Sequence, residues 1–164
     1  MPKVLLKTLL FVLILVIYFM GIRPIRSYVV KKQLDGLMTE KELPEHVILE
    51  SNTPYNATMI YIIYKHRDFQ KDWNYKFPFG MFFLFALLGL VAIAGDKRFY
   101  MYLIFVHIAG VILSNIFLYV GLKYSPWLIA ITDLLTRYLI PLCSMGMVPL
   151  AYLEKRKLSD AGSI

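Results

Sequence analysis

Residues 126–152, PWLIAITDLLTRYLIPLCSMGMVPLAY, decide the fold class. At about 1.5 Å per residue, a helix of this length crosses the roughly 30 Å hydrocarbon core of a bilayer. It nevertheless carries Asp133 and Arg137, one helical turn apart. Either charge deep in hydrocarbon costs on the order of 2.5–3.5 kcal/mol on insertion scales, so both are expected to face protein. The chain therefore reads as an all-α membrane protein with four transmembrane helices.

Working outward, Lys123-Tyr124-Ser125 is a tight turn into a third span over 99–122, and Asp96-Lys97-Arg98 joins that to a second span over 77–95, FPFGMFFLFALLGLVAIAG. Pro78 suits the first turn of a helix, where its missing N–H costs little. Ala86, Gly89, Ala92 and Gly95 recur every third residue, a seam where another helix can approach closely. Residues 4–22, VLLKTLLFVLILVIYFMGI, are the first span, and Lys7 near its end can snorkel. No small-x-small cleavage site follows, so residues 1–22 are expected to be an uncleaved anchor. Residues 77–152 form a clustered three-helix unit, and 153–164 a basic tail containing Glu154-Lys155-Arg156-Lys157.

Residues 23–76 are the sizeable polar insert. Leu34, Leu37 and Met38 recur at helical spacing after Arg23, Arg26, Lys31 and Lys32, which predicts a short amphipathic helix on the membrane surface. Leu43-Pro44 is a break. His46–Ser51 and Thr58–Tyr64, rich in β-branched and aromatic residues, flank the turn formers of SNTPYNA and predict a β-hairpin. Asn56-Ala57-Thr58 fits the glycosylation sequon, a triplet that chance often supplies. Trp73 and Tyr75 are expected to anchor at the interface as the chain returns to the bilayer.

The 164 residues are 59% hydrophobic, against roughly 45–50% apolar in soluble domains. The net charge of +7 does not signal nucleic acid. The cations flank apolar runs, as headgroup contacts do, and no basic helix with base-reading partners is visible. The expected partners are the lipid bilayer and another membrane protein. One cysteine excludes an intrachain disulfide and a multi-cysteine cluster. With no HxxxH or HExxH spacing, neither a metal site nor another cofactor is expected; His46 and His66 read as surface side chains.

Seven cations (Lys3, Lys7, Lys97, Arg98, Lys155, Arg156 and Lys157) share one side if there are four spans. The positive-inside rule then puts both termini in the cytoplasm of a bacterial inner membrane and the insert outside. The nine Lys/Arg of the insert oppose that assignment, and its seven acids count little in the rule.

Counting equally from the 123–125 turn sets Asp133 level with Asn115, Arg137 with Val111, and Pro141 with His107. Asp133, Thr136, Arg137, Ile140, Ser144 and Met147 share one stripe at 100° per residue; His107, Gly110, Ser114 and Gly121 share another. Facing each other, these stripes would form a polar intramembrane cluster of His107, Ser114, Asn115, Asp133, Thr136 and Arg137. The Asp133–Arg137 order favours a helical pair. Pro141 leaves the Arg137 carbonyl without its backbone donor. The cluster serves helix packing or assembly, or it holds a ligand, or it catalyses; no catalytic residue is assigned. Cys143 comes near His107 in depth, inviting a Cys–His nucleophile, but it lies about 80° off the Asp133 stripe by helical angle.

The ending DLLTRYLIPLCSMGMVPLAYLEKRK, with the plan of anchor, external insert and three clustered spans, resembles the small membrane proteins associated with bacterial exosortase systems. Exosortases themselves use a Cys followed by an Arg and a His on later spans. Here Arg137 and His107 precede Cys143, which disfavours the enzyme. The resemblance implies an accessory protein beside such an enzyme. The expected function is thus an inner-membrane accessory or assembly subunit. The alternative is a membrane-embedded enzyme or small-ligand carrier using Asn115, Asp133, Arg137 and His107.

Overall fold

The structure is a computed structural model that describes residues 2–39, 47–51, 59–66 and 69–161. The Leu43-Pro44 break, His46, the 52–57 turn, the Asn56 sequon and the last three residues lie outside the described residues.

The first apolar run is helical from Pro2 to Ile17 (α1), passes through a π turn at Tyr18–Ile22, and continues as α2, Arg23–Thr39. The separate surface helix expected after residue 22 is corrected to one rod of about 55 Å. Pro24 explains the π turn. Its ring has no N–H and crowds the carbonyl four residues back; opening that turn, with Arg23 N–H reaching the Tyr18 carbonyl, lets the helix run on.

Among the described residues the insert holds three strands, not two: β1 Val47–Ser51, β2 Met59–His66 and β3 Phe69–Lys76, antiparallel in the order β1-β2-β3. The hairpin is β1–β2, with Leu49 opposite Ile62 and Ser51 opposite Ile60. β3 overturns the interfacial reading of Trp73 and Tyr75. They alternate with exposed Gln70, Asp72 and Lys76 and lie opposite Ile62 and Ile60 on the buried face. That face meets Val30, Leu34 and Leu37 of α2 and Leu118, Leu122 and Ile129 from the helices that follow, making one core.

Phe77–Gly80 forms a bend, and the next helix is α3, Met81–Ile93, of 13 residues. At about 20 Å it is shorter than the span expected over 77–95, and Pro78 precedes the helix instead of opening it. Ala94, left-handed at φ 50°, ends it, with Gly95 N–H on the Leu90 carbonyl at 2.9 Å. Asp96 then caps α4, Lys97–Lys123, by accepting from Arg98 N–H at 3.1 Å. Pro126 opens α5, Pro126–Leu134; a second π turn, Leu135–Leu139, leads to α6, Ile140–Ala161, which takes most of the expected tail into the helix.

Among the described residues, three helical segments (4–37, 97–123 and 126–160) are long and apolar enough to cross a membrane; Met81–Ile93 is a shorter apolar helix. A second core joins Tyr18, Phe83, Leu84, Ala86, Leu90, Leu103, Met147 and Ala151. Within the seam, a Cβ on Gly89 would come 2.9 Å from Val148 and one on Gly95 3.6 Å from Ala151, so α3 packs on α6 there; Ala92 is exposed. Lys7 Nζ donates to the Ala92 carbonyl (3.2 Å), Lys155 Nζ to that of Ile93 (2.6 Å), and Arg98 pairs with Glu154 (2.6 Å). These contacts gather Lys7, the 92–98 turn and residues 154–155 at one end of the bundle. The sheet lies toward the other.

Candidate functional site

The two π turns have the same local plan: a wide turn, one residue, then proline (Arg23-Pro24 and Ile140-Pro141). Each also marks a change of core. Tyr18 belongs to the helical core and Val30 to the sheet core; Ile129 belongs to the sheet core and Met147 to the helical one. π turns within helices recur at functional sites. Here both border the bend that links the sheet to α3.

Arg26 holds that bend. Its Nε donates to the Pro78 carbonyl at 2.9 Å and its Nη2 to that of Phe77 at 2.8 Å, while Tyr18 Oη donates to Phe79 at 3.3 Å. Phe79 needs the support, because φ 64° is strained for a bulky residue. Its ring lies 5.0 Å from both Phe83 and His107. A cavity of about 290 Å³ opens beside it, lined by Arg26, Lys76, Phe79, Phe83, His107 and Arg137 among others.

His107 is buried. Its Nδ1 lies 2.9 Å from the Leu103 carbonyl, which assigns the proton to Nδ1 and leaves Nε2 as an acceptor. Ser144 Oγ is 3.5 Å from Nε2 and 2.7 Å from the Ile140 carbonyl, so its hydrogen goes to Ile140. The arrangement packs two helices; it does not activate a hydroxyl. Cys143 is exposed, and Ser144, not Cys143, reaches the imidazole.

The remaining members of the expected cluster disperse. Asn115 donates to the Val111 carbonyl at 2.7 Å and accepts from Gln33 of α2. Ser114 bonds to the Val111 carbonyl at 3.2 Å, beside the Tyr75 hydroxyl. Thr136 donates to the Thr132 carbonyl at 2.9 Å and accepts from Lys76 N–H at 3.4 Å. Asp133 and Arg137 do not form an ion pair. Asp133 Oδ1 is buried without a partner, while the Arg137 guanidinium is exposed over the Tyr138 ring, 5.4 Å from its centroid. The stripes meet, but with Gly110 against Ile140 and Gly121 against Ile129, an offset of about two residues from equal counting. Thr132, Thr136, Ile140 and Ser144 are all buried at steps of four. In an ideal helix each such step drifts about 40°; the π turn absorbs the drift and leaves Arg137 outside the stripe.

Sequence reasoning found His107, Thr136 and Arg137 of the cavity and missed Arg26, Lys76 and Phe79 as neighbours. The recurrence of proline after an apolar run, at Pro24 and Pro141, was the available signal. Among the described residues, no group of three His, Cys, Asp or Glu side chains is placed to hold a metal ion.

Comparison with protein-family models, curated proteins and solved structures finds no match for this chain.

Proposed function

We propose that this chain is an integral inner-membrane accessory or assembly subunit of a bacterial cell, non-enzymatic, with the sheet outside and both termini in the cytoplasm. The four apolar helices would cross the bilayer, the short α3 being accommodated by local thinning. The basic end that gathers Lys7, Lys97, Arg98, Lys155 and Arg156 supports this orientation by the positive-inside rule.

The observation that carries the reading is the first helix. Val4, Leu5, Leu6, Leu9, Val12, Leu13 and Ile17 are all exposed, so α1 offers most of its surface to lipid or to another membrane helix. The interior polar groups support the same reading, because His107, Ser114, Asn115, Thr132, Thr136 and Ser144 each bond to a carbonyl of their own helix. An exosortase-type sorting enzyme is the partner that the sequence resemblance alone suggests.

A photo-crosslinking residue at Leu9 or Leu13, in native membranes, should give one discrete protein adduct, and the same residue at buried Leu103 none. Adducts with lipid alone at every α1 position would overturn the assembly role. Lys71→Cys in a Cys143→Ser background should label from outside intact cells; labelling only after lysis would invert the orientation.

A further inference from the structure

The cavity at the bend has a chemistry of its own. Arg26, Lys76 and Arg137 line it, and no carboxylate does among the described residues. Asp133, one turn from Arg137, is not part of the lining. Arg26 spends Nε and Nη2 on backbone carbonyls, which fixes its guanidinium plane. Among the described residues Arg137 has no hydrogen bond or ion pair, and its guanidinium is exposed over the Tyr138 ring. The guanidinium of Arg137, the N–H groups of Arg26 not spent on the bend and the Lys76 ammonium around one space suit a multiply oxygenated anion, phosphate above all.

Position adds a second argument. Arg137 is 18 residues from Lys155 along one helical rod, and Arg26 is 19 from Lys7 along another, about 27 and 28 Å respectively. Lys7 and Lys155 both lie at the basic end, on the carbonyls of Ala92 and Ile93. If that end sits at one headgroup layer, both arginines reach the opposite one, roughly a hydrocarbon thickness away. Beside His107 and Thr136, the rest of the wall is largely apolar (Phe79, Phe83, Ile140), and Met81 and Phe82 carry that surface out to the exposed face of α3. An acyl chain has a path there that a free ion would not need.

We propose that this cavity binds a phosphoryl anion, held by Arg26, Arg137 and Lys76, with a phospholipid headgroup as the source that the apolar wall favours and free phosphate as the other. The binding is independent of the assembly role above: it concerns the bend between sheet and α3, not the outer face of α1.

The test uses the full chain in phosphatidylcholine nanodiscs doped with phosphatidylglycerol, followed by gentle extraction and native mass spectrometry, with inorganic phosphate assayed separately by thermal shift. The wild type should retain phosphatidylglycerol over phosphatidylcholine, and Arg137→Gln should reduce that retention about tenfold, the loss expected of one charge-assisted hydrogen bond. Arg137→Lys should restore part of it. Phosphatidylglycerol retention that millimolar phosphate does not displace assigns the lipid. A phosphate-dependent rise in melting temperature that Arg137→Gln abolishes, without lipid retention, assigns the free ion. Should Arg137→Gln not fold, Lys76→Gln, whose side chain is exposed, carries the same comparison. Retention and thermal shift both unchanged in the folded variants would overturn the proposal.

Discussion

Asp133 and Arg137 stand four residues apart on one helical rod and do not pair: the carboxylate has a buried oxygen without a partner, and the guanidinium lies over Tyr138. The opening of the helix between Leu135 and Leu139 separates them. Their effects on stability should therefore add. Asp133→Asn and Arg137→Gln, singly and together, are expected to show a coupling below about 0.5 kcal/mol in a double-mutant cycle from unfolding in detergent. A coupling above about 1 kcal/mol would mean that the charges meet in the folded protein.

The approach of α4 to the α5–α6 rod depends on missing side chains at two glycines with different neighbours. A Cβ on Gly110 would collide with the Cδ1 of Ile140, whereas one on Gly121 would lie 2.9 Å from the backbone nitrogen of Ile129. Gly110→Ala should cost about 1–3 kcal/mol and be largely rescued by Ile140→Val, which deletes the offending methyl. Gly121→Ala should cost at least as much, with no rescue from Ile129→Val. Equal rescue at both sites would contradict the backbone contact at Gly121.

Tyr75 is buried on the sheet with no hydrogen bond to its hydroxyl, and burial pushes its pKa up to about 12. The folded state thus holds the phenol proton more tightly than the unfolded chain does. Below pH 10 this group adds no pH dependence; its contribution is lost as pH rises from about 10 toward 12. Tyr75→Phe should be within about 1 kcal/mol of wild type at neutral pH, because it removes an unsatisfied polar atom. It should also flatten the alkaline limb, measured as unfolding midpoint against pH.

At the opposite end of the molecule, Asp96 caps α4. The hydrogen bond from Arg98 N–H, with the Arg98 guanidinium beside it, holds the Asp96 carboxyl below its ordinary value. A lowered folded pKa contributes stability that is present above the unfolded value and lost as pH falls through the folded one. Asp96→Asn keeps an acceptor for the cap and should move the acid midpoint less than Asp96→Ala does. Identical acid midpoints in all three proteins would show that the cap does not matter.

The apolar helices were legible because nothing competes with a run such as residues 4–20, and the 96–98 turn was legible as a polar break between two apolar runs. β1 and β2 were legible from β-branched runs. β3 was not: its outward face, Gln70, Asp72 and Lys76, is as polar as a loop, and Trp73 and Tyr75 have the composition of an interfacial belt as well as of a half-buried strand. Of the cavity, His107 and Thr136 were legible from helical spacing. Arg26 and Lys76 were not, since only the fold of the bend brings α2 and β3 to the same place. Assuming a constant 100° per residue misplaced Arg137, because one wide turn voids the count beyond it.

Each of the two long rods carries one residue more than a regular spiral needs, just ahead of a proline. That surplus acts as a swivel. Below it the rod shows one face to its helical neighbours; above it, a different face to the sheet. A single stretch of chain can thereby be tailored to two unlike surroundings, and drift in the sequence of one half need not disturb the fit of the other.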